Sequence, residues 1–115
     1  MAIPHNAPVK VLDDVSASTT FEVSDSTAGL GNPIQFHKHK ALVSGATGTW
    51  VFTWQESPDG GSTWVDTSDS LTINTGETGA LRLNDACVTL RLQATRTSGD
   101  VTVHIQQHDD YYGAR

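Results

Sequence analysis

Cysteine is almost missing from this chain. Cys87 is the one thiol in 115 residues, so no internal disulfide can staple the fold. It sits in an apolar stretch with no His, Lys or Arg beside it to lower its pKa, and reads as a small buried hydrophobe. Basic residues are scarce: 7 Lys and Arg stand against 13 Asp and Glu, a net charge of −6. That balance argues against a nucleic-acid surface, which needs clustered cations to neutralise phosphates. The single basic run is His37-Lys38-His39-Lys40. No apolar run is long enough to cross a bilayer. The N-terminus has no basic segment followed by an apolar one, so synthesis in the cytoplasm without a signal peptide is expected. Helical periodicity is also missing, because apolar residues do not recur at three- and four-residue spacing over any useful window.

Catalytic signatures are lacking as well. There is no Gly-x-Ser-x-Gly, no His-Glu-x-x-His and no phosphate loop. The acid pairs Asp13-Asp14 and Asp109-Asp110 are adjacent, so on a strand each pair splits between opposite faces. A hydrolase needs two carboxyls held across a cleft. No enzyme activity, catalytic residue or cofactor is expected.

What the chain does have is alternation. Thr and Val, which suit a pleated surface, are frequent. Residues 88–95 alternate apolar and polar without a fault, residues 101–106 repeat the pattern, and Arg96-Thr97-Ser98-Gly99-Asp100 between them has hairpin chemistry. Trp50, Phe52 and Trp54 point one way while Val51, Thr53 and Gln55 point the other. Further strands are expected around the His-Lys run, at 9–13 and 20–24, and as short pieces at 71–74 and 81–83. Roughly eight strands broken by turn clusters predict a single antiparallel β-sandwich, Ig-like or jelly-roll-like, with no significant helix. The expected organisation is an N-terminal arm at 1–8, the sandwich at 9–106 and a C-terminal tail at 107–115.

Several side chains invite a functional reading. His37 and His39 share a strand face and, with His104, would have the donor types for a metal, but a solvated polar face is the plainer account and no metal is expected. Lys38 and Lys40 lie on the other face, where a phosphate or an acidic partner would meet them, although an edge strand guarded by lysines also explains them. Trp50 and Trp54 alternate as a core face should, in a chain short of other large apolar groups. At least two of the three tryptophans are expected in the core, and Trp64 is the one that could be exposed, where it would be available to stack on a sugar.

The densest motif is Ser57, Asp59, Gly61, Thr63 and Trp64, in the spacing Ser-x-Asp-x-Gly-x-Thr-Trp. Pro58 presets a backbone dihedral, Asp59 can accept from the turn's own N–H groups, and Gly60 and Gly61 tolerate positive φ. These residues resemble the Asp box of sialidases and other β-propellers, where the motif is a hairpin device away from the catalytic centre. It recurs once per blade there and occurs once here, so the resemblance implies a structural hairpin and no glycosidase activity.

The same segment, with the acidic Thr- and Gly-rich remainder, also resembles small β-sandwich virion proteins of bacteriophages. That resemblance implies a capsid decoration (cement) protein, located in the virion and binding the major capsid protein or other virion subunits. It further implies a homo-oligomer, with a trimer favoured, and contact with neither nucleic acid nor membrane. Ile3 and Pro4 in one arm and Tyr111 and Tyr112 in the other are the expected interface anchors, since tyrosine is enriched where proteins meet. A phage tail or neck component and a non-catalytic carbohydrate-binding module are the alternatives.

Overall fold

A computed structural model of the chain describes residues 7–24, 29–31, 33, 36, 38–85 and 89–108. Among the described residues there are nine strands and no helix, arranged as two antiparallel sheets. The first sheet runs β1 (Val9–Val15), β9 (Val101–His108), β3 (Lys38–Val43), β7 (Gly79–Leu83). The second runs β2 (Thr19–Glu22), β8 (Leu90–Arg96), β4 (Trp50–Glu56), β5 (Val65–Asp66), and β6 (Leu71–Ile73) also pairs with β4. The fold is a β-sandwich. The ninth strand is β5, which at two residues is too short for alternation to reveal.

The core lies between the sheets because each strand sends alternate side chains inward. The first sheet contributes Ala41, Val43, Val101, Val103 and Ile105, and the second Trp50, Phe52, Trp54, Leu90 and Leu92, all essentially inaccessible. Trp50 stacks on Phe52, and the Trp54 indole N–H donates to the Leu81 carbonyl at 3.0 Å, so this large apolar group also has its polar end satisfied. Truncating either buried indole to alanine is worth about 3–5 kcal/mol.

Three sequence expectations need correction. The segment 96–100 does not close a hairpin, because β8 and β9 belong to different sheets and the chain crosses the sandwich between them. The crossing is tied instead to the 44–49 loop: Thr47 N–H donates to the Asp100 carbonyl at 2.8 Å and Thr97 N–H to the Thr49 carbonyl at 2.9 Å. Gly99 has φ 79°, and a Cβ there would run into the Thr47 carbonyl. Two alternating strands joined by a short Gly-containing loop look alike whether they pair or pack face to face. The second correction concerns β3, which is not an edge strand: it pairs with β9 on one side and β7 on the other. Lys38 and Lys40 therefore guard no edge. The third is the boundary at 106, since β9 continues to His108 and Gln107 is fully buried.

The edges of the first sheet are β1 and β7, and β1 is irregular. Its register against β9 slips twice, between Lys10 and Leu12 and between Leu12 and Val15, and Asp14 adopts φ 53°. Bulges of this kind bend an edge strand away from edge-to-edge pairing.

A candidate docking groove on the basic sheet face

Strand pairing decides which charges meet. Lys40 lies opposite Arg82 on β7 and opposite Gln106 on β9, and Lys38 lies opposite His108. All five belong to the outward set, because His39, Ala41, Leu81, Leu83, Ile105 and Gln107 between them point into the core. The outward-facing residues of β3, β7 and β9 include three Lys or Arg, two His and no carboxylate. Among the described residues, the one salt bridge is Lys10 to Asp13 at 3.7 Å, so neither Lys40 nor Arg82 has an acidic partner there. Directly opposed side chains on one sheet face stand about 5 Å apart at Cβ, and like charges so placed are destabilising. Lys38, Lys40, Arg82, Asn84, Gln106 and His108 line an open concavity of about 320 Å³ on this face.

Beneath the groove lies a buried polar node. The Gln107 side-chain amide holds both backbone groups of Gly31: its Oε1 accepts from Gly31 N–H at 2.6 Å, and its Nε2 donates to the Gly31 carbonyl at 2.7 Å. Gln107 Nε2 also lies 3.1 Å from His39 Nε2. The amide nitrogen can only donate, so His39 Nε2 must accept and the ring proton sits on Nδ1. That atom is buried and has no partner among the described residues. Burial pushes the His39 pKa from its ordinary value near 6.5 down to about 4, and protonating Nε2 would set it against the Gln107 donor. The His39 ring meets Trp54 edge-on at 5.8 Å.

The expected solvated histidine face is therefore corrected. His39 is 2% exposed, while His104 points out of the opposite side of the sheet. His37 lies outside the described residues. Among the described residues no three His, Cys, Asp or Glu are grouped to hold a metal ion.

The motif residues come together in the connection from β4 to β5. The Ser57 hydroxyl donates to Asp59 Oδ1 at 2.8 Å and accepts from Gly61 N–H at 2.7 Å. Asp59 Oδ1 further accepts from the N–H groups of Ser62 at 3.1 Å and Thr63 at 2.7 Å. Gly60 and Gly61 have φ 77° and 109°, which is what glycine permits at little cost. Donation by the Thr63 side chain and backbone, then by the Ser57 hydroxyl, holds the Asp59 carboxyl below the usual carboxylate range. Trp64 Nε1 donates to the Gly61 carbonyl at 3.1 Å, and the Arg91 guanidinium lies over the indole at 4.2 Å. Arg91 Nε donates to Gln55 Oε1 at 2.7 Å, and Gln55 Nε2 to Asp66 Oδ1 at 2.8 Å. Trp64 is thus half-buried, with one ring face covered by the protein's own cation.

Lys38 and Lys40 are the part of the groove that alternation in the sequence reveals. Arg82, Asn84, Gln106 and His108 were missed, because their membership depends on register between strands far apart in the chain. The one local signal was Arg82 standing outward in Leu81-Arg82-Leu83. The expected arm anchors Ile3, Pro4, Tyr111 and Tyr112 lie outside the described residues, as does Cys87.

No family model matches the chain, and no curated protein matches it. Among solved structures, one described as "Crystal structure of PirA" is similar over 93% of this chain and 100% of that chain, with a TM-score of 0.56 at 15% sequence identity. A likeness at that identity speaks to the sandwich fold alone.

Proposed function

We propose that this chain is a non-catalytic structural protein of a virus particle, a head decoration protein of a bacteriophage, which docks on capsid subunits through the outer face of its first sheet. The observation that supports the reading is the register pair Lys40 and Arg82. A protein of net charge −6 sets two cations directly opposite each other, and neither makes a salt bridge to a described carboxylate, although Asp66 and Asp69 share a neighbouring concavity with Arg82. Such a pair costs folding stability, and an acidic partner surface would offset that cost. Self-association at a symmetric lattice position, as a trimer, belongs to the same proposal.

The test is co-sedimentation of the purified protein with particles assembled without it, over a range of salt. The wild type should pellet with the particles at low ionic strength and be released as salt rises, since exposed charge pairs are screened. The double variant Lys40→Glu, Arg82→Glu should stay in the supernatant while keeping its β-sheet circular dichroism. Pelleting of that variant at the wild-type level would overturn the assignment of this face.

A further inference from the structure

The groove has a grain as well as a charge. Lys38 and Lys40 are alternate residues of one strand, so their side chains leave the sheet about 7 Å apart along the strand axis. Arg82 stands one strand to the side of Lys40, about 5 Å away. An extended peptide laid along β3 presents its own alternate side chains at that same pitch. The remaining lining fits a peptide better than a bare oxyanion. Asn84 carries both a carbonyl oxygen and an NH₂ group. A peptide backbone offers donors and acceptors to match, whereas phosphate or sulfate offers acceptors only. Nucleic acid is disfavoured by scale, because useful affinity for a duplex takes many phosphate contacts, and this concavity of about 320 Å³ gathers three Lys or Arg.

We propose that the groove seats an extended acidic segment of a partner protein with carboxylates at alternate positions, one on Lys38 and the next shared by Lys40 and Arg82. The inference rests on the docking reading of this face and names the chemistry of its partner. It makes spacing, and not charge alone, the basis of recognition.

The experiment is a titration of the isotopically labelled full chain, followed by amide chemical shifts, with four probes. These are a short blocked peptide alternating glutamate and serine, a peptide of the same composition with its glutamates contiguous, the alternating peptide with glutamine for glutamate, and inorganic phosphate. The alternating peptide should shift amides at 38–40, 82–84 and 106–108 and should bind several-fold tighter than the contiguous one. Lys40→Gln and Arg82→Gln should each weaken it roughly tenfold, the usual worth of one charge-assisted hydrogen bond. The glutamine peptide should leave these amides unmoved. Equal affinity for the two glutamate arrangements would overturn the spacing claim, and phosphate binding as tightly at the same amides would make this a simple anion site. No response to any peptide, with particle binding still dependent on Lys40 and Arg82, would overturn this inference and leave the docking reading standing. Loss of that dependence in the particle assay would remove the docking reading itself.

Discussion

The 57–64 connection and the basic groove lie at the same end of the sandwich. β4 runs into the former at Glu56, opposite Leu90, and β7 leaves the latter at Leu83 toward that same Leu90. They treat charge in opposite ways. In the connection, the Asp59 carboxylate gathers the Ser57 hydroxyl and two backbone N–H groups, and Arg91 is stacked on Trp64 and bonded to Gln55. Polarity there is consumed locally, which is how a loop holds its own shape. In the groove, Lys40 faces Arg82 across a strand pair. Polarity in the connection is satisfied within the segment, whereas in the groove two like charges are set opposite each other, which is what the docking proposal rests on. The motif that stands out in the sequence and the proposed docking face are different regions of this chain.

The largest effect tests the node beneath the groove. The His39 pKa is lowered from 6.5 to about 4, a difference that corresponds to roughly 3 kcal/mol. The unfolded chain takes up a proton near pH 6.5 while the folded chain does not until about pH 4. Stability should therefore be fully present above pH 6.5 and fall steadily as pH drops toward 4. Denaturant unfolding at a series of pH values should show this slope in the wild type and much less of it in His39→Leu. Parallel slopes in the two proteins would mean that His39 is not held neutral.

The hairpin comes next. Ser57→Ala removes one donor to Asp59 and the acceptor for Gly61 N–H in a 6% exposed site, a loss of about 1–3 kcal/mol. Particle and peptide binding should be untouched, which is what separates this region from the groove. Asp59 adds a pH signature: with its folded pKa lowered, its contribution is present above the ordinary carboxylate range and lost as pH falls through it. An unaltered melting curve for Ser57→Ala would deprive the motif of its structural role.

The smallest effect has the opposite sign. Lys40→Gln relieves a like-charge pair and should raise stability by a few tenths of a kcal/mol, within the usual range for cross-strand pairs, while weakening binding. Destabilisation by Lys40→Gln would mean that the lysine is held by contacts within the chain, and the contrast between the two regions would collapse.

How much of this was legible in the sequence follows from what is local and what is not. Alternation in 50–55 and 101–106 announced β4 and β9 with their inward faces, since a two-residue period is written into adjacent side chains. The Asp-box spacing gathered Ser57, Asp59 and Gly61 within one turn for the same reason. What stayed hidden depends on partners. The pairing of Lys40 with Arg82, the burial of His39 against Gln107, and the crossing of 96–100 between sheets join residues dozens of positions apart. Lys38 and Lys40 read as the guards of an edge because a strand's neighbours cannot be counted from its own residues. Thr53 and Gln55 were expected to face away from the tryptophans, as they do, yet both are buried. The returning chain covers them: Ser70 Oγ lies 3.2 Å from Thr53 Oγ1, and Asp66 takes the Gln55 amide.

The position of β9 has a consequence in time. It lies at the middle of the first sheet, between β1 and β3, yet is made after both. Until the ribosome has released it, Val9 lacks Ile105 and Lys40 lacks Gln106, so β1 and β3 have no bridge between them. A nascent chain therefore carries half a sandwich with an open slot, and closing that slot requires contacts of very long sequence separation. Folding of this kind is slow, on the order of milliseconds to seconds for small sandwiches. The basic row is completed by Gln106 and His108 of β9, so a chain in which that strand has not yet docked has no complete groove.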